Sequence, residues 1–219
     1  MTLTLAQARA VTLDHLDDND SEDPNARWSN AQVDVGLALA LSSCLSDYVS
    51  EGGDRFDLEL SASTTSGALD MSSYSPLYIR GMTMLYGNRY WPLEALRAED
   101  RGIQDADTKS LQVRYVREYA LPTTTTHPLV GVGATAANSW DAFDHWICIR
   151  AAIHCSIKDD DLRATLTTQE EAIRTTVLLR PKLPSAVAFP KPTSYYSRSY
   201  GYFWQPSTKV VQICRRGGW

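Results

Sequence analysis

The sequence has no surplus of basic charge. Its 21 Lys and Arg stand against 26 Asp and Glu, a formal net charge of −5. A surface that grips nucleic acid without regard to sequence must neutralise phosphates, so this balance argues against that class of function. It has no apolar run near the roughly 18 residues that a membrane span needs. The longest candidate, Val35 to Leu41, is short and contains Gly36. Met1 to Ala10 has no basic stretch ahead of an apolar core, so no secretory signal is expected. The four cysteines, Cys44, Cys148, Cys155 and Cys214, have no paired spacing and read as buried thiols of a reducing compartment.

What is present points to an ordered α+β protein. Hydrophobic residues make up 43% of the chain, enough to exclude wholesale disorder. The pattern predicts a bundle of about four helices from residues 1–53 and 123–181. A β-rich insert, residues 54–122, carries a small antiparallel sheet between helices 2 and 3, and residues 182–219 form an extended aromatic arm.

The first helix is expected over Leu3 to Leu16, opened by a capping box of Thr4 and Gln7. The acidic stretch Asp17 to Asp23 reads as a solvated loop; a calcium loop would need a glycine at its bend and a terminal Glu. Ser29 and Gln32 form a second capping box, with Trp28 and Val33 placed as a hydrophobic staple. Val33, Leu37, Ala40, Leu41, Cys44, Leu45 and Tyr48 then repeat at helical spacing up to Gly52-Gly53. Cys44 lies on that stripe and reads as a small core hydrophobe. A third helix, from near Asn138, is apolar nearly all round through Ile157 and is expected at the centre. Lys158 to Asp161 ends it. A fourth helix is expected from Thr167, with Thr167 and Glu170 as its capping box, Ala172, Ile173, Val177 and Leu178 as its stripe and Pro181 as its stop.

From Asp54 the period becomes two. Phe56, Leu58 and Leu60 alternate with acids as in a half-buried strand, broken by Ser61 to Gly67. Leu77 to Tyr86 and Arg89 to Leu93 predict a hairpin about Gly87-Asn88, with Pro92 at a strand end or sheet edge. Glu94 to Asp105 reads as a short helix, and Leu111, Val113 and Tyr115 as another strand.

Past Pro181 four prolines exclude a regular helix, and residues 195–204 read YYSRSYGYFW. Aromatics on an extended segment suit docking, because they bury large area at small entropic cost. The expected partner-binding residues are Tyr195, Tyr196, Tyr200, Tyr202, Phe203 and Trp204, with Arg215, Arg216 and Trp219 near the end. Lys209 to Ile213 could add a strand to a partner's sheet. The alternative is a tail that packs back on its own domain.

No catalytic or metal centre is expected, and no cofactor. His145, Cys148, His154 and Cys155 crowd one helix, but neighbours on a helix point about 100° apart and zinc needs four converging ligands. A His145–Cys148 nucleophile pair lacks an oxyanion site. Gly131-Val132-Gly133 lacks the third glycine and the Lys-Ser/Thr of a phosphate loop. By elimination the chain reads as a structural or binding protein rather than an enzyme. The alternative is a small thiol- or metal-dependent enzyme on the His145–Cys155 helix.

The order of elements resembles a family. A short first helix, an acidic linker and Trp28-Ser29-Asn30-Ala31-Gln32 opening a second helix are similar to the start of head–tail adaptor (connector) proteins of tailed bacteriophages. Ser75-Pro76-Leu77-Tyr78-Ile79-Arg80, Trp91-Pro92-Leu93 and Leu111-Gln112-Val113-Arg114-Tyr115 are similar to their strand region. The resemblance covers about residues 1–180. It implies a non-enzymatic virion protein at the neck, assembled in the host cytoplasm as a ring, commonly of twelve copies. The ring would bind the portal protein and tail or nozzle proteins, without a membrane, and DNA would pass through its channel without specific binding. The arm would dock on the portal, with Trp28 and Trp91 as contributors to ring contacts. A tail-side neck protein of the same fold is the near alternative.

Overall fold

The computed structural model describes residues 3–17, 27–65, 68–86, 88–93, 108, 110–130, 141–178, 200–205 and 207–215, with the backbone alone at 86, 141, 200–204, 214 and 215. These residues form two compact units. One holds the described parts of 1–55 and 119–183, the other those of 56–118 and 184–219. Most of the acidic stretch 17–23 and the expected helix 94–105 lie outside the described residues.

The first unit is made of helices α1 (Leu5–His15), α2 (Asn30–Ser50), α3 (Asp141–Cys155) and α4 (Asp160–Leu178). Both N-terminal capping boxes are formed. The Thr4 hydroxyl accepts from Gln7 N at 3.3 Å while Thr4 N donates to Gln7 Oε1 at 2.9 Å. Ser29 and Gln32 repeat this at 3.4 and 2.9 Å. Each box satisfies two backbone donors that a helix start leaves orphaned. Leu5 N donates to His127 O and Leu129 N to Leu3 O, which ties the loop at 123–130 to the start of α1. Gly52, at φ 85°, supplies the left-handed residue just past α2.

The inner stripe of α2 is buried as its spacing requires, Cys44 included. Inside it sits Gly36, which ordinarily weakens a helix. Here α3 passes so close that a Cβ at position 36 would lie 2.9 Å from Cys155 Sγ and 3.0 Å from the Ala151 carbonyl oxygen. Phe143, Trp146, Ile147, Cys148, Ala151 and Ala152 of α3 are fully buried, and Tyr48, Phe143 and Trp146 meet edge to face. Ile157, expected in that apolar set, instead follows the end of α3 and is 63% exposed.

The fourth helix corrects the sequence reading. It starts at Asp160, seven residues before Thr167, and Asp159 caps it by accepting from Leu162 N at 3.2 Å. Asp160 and Asp161 occupy its first turn, where the positive end of the helix dipole favours them. The acidic run, expected to end α3, is instead the start signal of α4; α3 has already ended at Cys155. Thr167 lies inside the helix and donates to Arg163 O at 2.8 Å. In the expected stripe Val177 is buried, Ile173 and Leu178 are half-buried, and Ala172 is exposed.

The second unit is antiparallel β. Strands β1 (Asp57–Ser63), β3 (Pro76–Tyr86), β4 (Arg89–Pro92) and β5 (Ser110–Arg117) form a sheet in the order β1-β5-β3-β4. The register Tyr86↔Arg89 closes the expected hairpin, and Pro92 ends an edge strand where no ladder donor is missed. A second sheet is built from β2 (Ala68–Asp70), β6 (Tyr200–Gln205) and β7 (Val210–Arg215), in the order β2-β7-β6. Both sheets share one core, in which Leu69, Met71, Val211 and Ile213 meet Met82, Met84, Leu111 and Val113.

This topology corrects the expectation of an extended arm. Residues 200–205 and 210–215 pair as antiparallel strands, and Val210, Val211 and Gln212 pair with Asp70, Leu69 and Ala68 of the same chain. The strand expected to join a partner's sheet at Lys209 to Ile213 thus completes the chain's own. Two apolar side chains at alternate positions, Val211 and Ile213, have a home core within reach, and burial there outweighs leaving the segment free.

Candidate interaction surface

The expected arm residues divide by what is described. Tyr195, Tyr196, Arg216 and Trp219 lie outside the described residues. Tyr200, Tyr202, Phe203 and Trp204 are backbone positions of β6, the edge strand of its sheet among the described residues, and Arg215 is the last residue of β7. Lys209 turns the hairpin at φ 53°, and its Nζ lies 3.7 Å from Glu118 Oε2.

The His/Cys helix does not assemble a centre. His145 is exposed while Cys148 is fully buried against the Ala8 carbonyl, 3.7 Å away. Burial pushes the Cys148 thiol up to about 12, partly offset by a hydrogen bond with Thr12, and pushes Cys44 higher still. A nucleophilic thiol needs the opposite shift. Among the described residues no three His, Cys, Asp or Glu side chains are grouped as metal ligands. His154 lies beside Cys155; burial and then the Arg150 charge hold its imidazole below its ordinary range, so it is neutral at pH 7.

His154 and Cys155 face a groove on the first unit. Trp28, Val35, Gly36, Leu39 and Ile157 complete most of its lining, and its volume is about 500 Å³. Val35 is 62% and Leu39 54% exposed, large values for aliphatic side chains on the longest helix among the described residues. The two acids of α2 are both engaged away from it. Asp34 accepts from Arg9 Nε and Nη2 at 2.7 and 2.6 Å, and Asp47 accepts from Arg150 Nη1 at 2.8 Å. The exposed face of α2, from Ala31 through Val35, Ala38 and Leu39 to Ser42, therefore carries no charge over three turns. Trp28 is half-buried, packed against the cluster of Leu16, Ala152 and Leu166.

The second unit has its own apolar surface at the β3–β4 hairpin. Leu85 and Tyr90 are cross-strand partners, each 40% exposed, and Trp91 beside them is 39% exposed. On the same sheet Arg114 and Arg80 share one carboxylate, Asp57, at 2.7 and 3.2 Å.

Sequence reasoning missed the groove. The helical period identified the inner stripe of α2 and left Val35 and Leu39 as incidental outer residues. The available signal was their spacing of four, on a 21-residue helix with only two charges. No protein-family model matches the chain, and neither does any curated protein sequence.

Proposed function

We propose that this chain is a structural adaptor subunit at the neck of a tailed bacteriophage. Copies form a ring under the portal, join the DNA-filled head to the tail or nozzle proteins and leave a channel for DNA. The observation that carries the reading is the charge-free apolar face of α2, with Val35 and Leu39 more than half exposed on a chain of net charge −5. Like-charged copies repel over most of their surface, and an uncharged apolar patch is where they can meet. A ring of such acidic chains also repels phosphate, which suits a duct that DNA passes without sticking. Engagement of the portal through a free arm is not part of the proposal for residues 200–205 and 210–215, because those residues are strands of the β unit. Assembly takes place in the host cytoplasm and the final location is the virion neck.

The test is electron microscopy of the purified full chain mixed with the portal protein encoded beside its gene. A ring seated on the portal, with an open axial channel, is the expected result. A ring that binds only tail proteins would place the chain on the tail side, and no assembly with either would overturn the reading.

A further inference from the structure

Among the described residues the two sheets of the β unit end on β1, β4, β2 and β6, and three of these edge strands are guarded against pairing with another chain. β1 carries Asp57 and the exposed Glu59; β4 is four residues long, with Arg89 at its start and Pro92 at its end; β2 is three residues long and ends on the exposed Asp70. Charge, proline and shortness are the devices that keep an edge's free row of N–H and C=O groups from joining a second chain. β6 has none of them. It is six residues long, Tyr200–Gln205, with four aromatic residues and neither a charge nor a proline. We propose that β6 pairs with β6 of a second copy, antiparallel across a two-fold axis, so that their two three-stranded sheets run on as one.

Gly201 supports a backbone neighbour at this edge. Glycine weakens a strand interior, and it is found there at a bulge, at a barrel corner or where another backbone comes close. The β6–β7 register runs without a shift from Tyr200↔Arg215 to Gln205↔Val210, so Gly201 marks no bulge. The occupant follows from what the edge requires. A strand that joins it should match its length and bring no charge, and among the described strands β6 alone carries no charged residue. Antiparallel pairing about a two-fold axis lets one strand complement itself, each copy receiving the donors and acceptors that it offers. Charge agrees. Copies of net charge −5 repel over most of their surface, but the sequence from Ser199 to Thr208 has no charged residue, and Lys209, the next along, lies 3.7 Å from Glu118.

The pairing does not rest on the adaptor reading, and its test needs no portal. The full chain is followed by sedimentation and by residue-resolved amide hydrogen exchange over a range of concentrations. Alternate residues of a strand direct their N–H and C=O groups to opposite sides, so β7 protects only every second amide of β6. A dimer is expected as the concentration rises, and with it slowed exchange of the remaining amides between Tyr200 and Gln205. That alternation is a signature that contact through a sheet face would not give. Phe203→Lys and Gly201→Lys guard the edge and set like charges against each other across the axis; each is expected to weaken the dimer about 10-fold or more. Their register partners, Gln212 and Cys214, alternate with the buried Val211 and Ile213, so both changes fall on the face of β6 away from the core, and thermal melts check the fold. A chain that stays monomeric at every concentration would overturn the proposal. So would a dimer that leaves the exchange of β6 unchanged, protection of every β6 amide already in the monomer (the edge then being covered by its own chain), or a dimer indifferent to both lysines. A ring seated on the portal without the added protection of β6 would sink the pairing and leave the adaptor reading standing.

Discussion

Arg150 Nη1 of α3 donates to Asp47 Oδ2 of α2 at 2.8 Å. The same guanidinium donates through Nε to Glu170 of α4 and lies 4.9 Å over the Trp146 ring, while Trp146 Nε1 donates to the same Glu170 oxygen. One cation therefore ties three helices. Replacing it with leucine leaves Glu170, whose side chain is only 13% exposed, without its counter-charge. The expected loss is about 3 kcal/mol in chemical denaturation, the scale of breaking one partner out of a buried pair. Arg150→Lys should lose much less, and equal losses in the two variants would show that packing, not charge, is what Arg150 contributes.

Gly36→Ala should destabilise although alanine is the better helix former. The gain in helix propensity is about 1 kcal/mol and the cost of overpacking about 1–3 kcal/mol. The Cys155 side chain can rotate away from the new methyl group; the Ala151 carbonyl is backbone and cannot. The melting temperature should fall, and Cys155→Ala in the same chain should recover part of the fall. A rise in the single variant would mean that the helices separate freely at this crossing.

Stability should rise with pH through the histidine range. His15 and His154 are both held below their ordinary value, chiefly by burial, which Asp14 partly offsets at His15 and the Arg150 charge reinforces at His154. Below about pH 6.5 the unfolded chain takes up protons that the folded one does not. Their contribution is thus complete above that value and is lost as the pH falls towards the lowered folded values. Melts between pH 5 and 7.5 should show this slope, and His15→Gln with His154→Gln should flatten it. An unchanged slope in the double variant would assign it to other groups.

Val211→Asp should unfold the β unit. Val211 is fully buried in β7, flanked by β2 and β6, and an unpaired carboxylate there is expected to cost about 3 kcal/mol or more. Ser207→Asp, at an exposed turn of the same hairpin, is the control and should leave the melt unchanged. If Val211→Asp were equally silent, the hairpin would not be part of the core. The same reasoning bars a deletion of residues 182–219 as a clean test of portal binding, because it removes two strands.

By itself the sequence determined what is local. The Thr4 and Ser29 capping boxes, the inner stripe of α2 and the turn between Tyr86 and Arg89 depend on residues a few positions apart, and their chemistry is legible in order. Tertiary structure decided what depends on distant neighbours. The run Lys158 to Asp161 reads equally as a terminator or a start, and only the Asp159 cap on Leu162 distinguishes them. Val35 and Leu39 are apolar in either case; that they stay more than half exposed is a property of how α1 and α3 pack on the inner stripe of α2. The clearest case is the tail. Its aromatic, proline-punctuated composition signals burial without saying against what, because strand pairing joins residues 68–70 to 210–212 across 140 positions of chain. Backbone ladders carry no address in composition; they form where two edges with matching apolar faces come within reach.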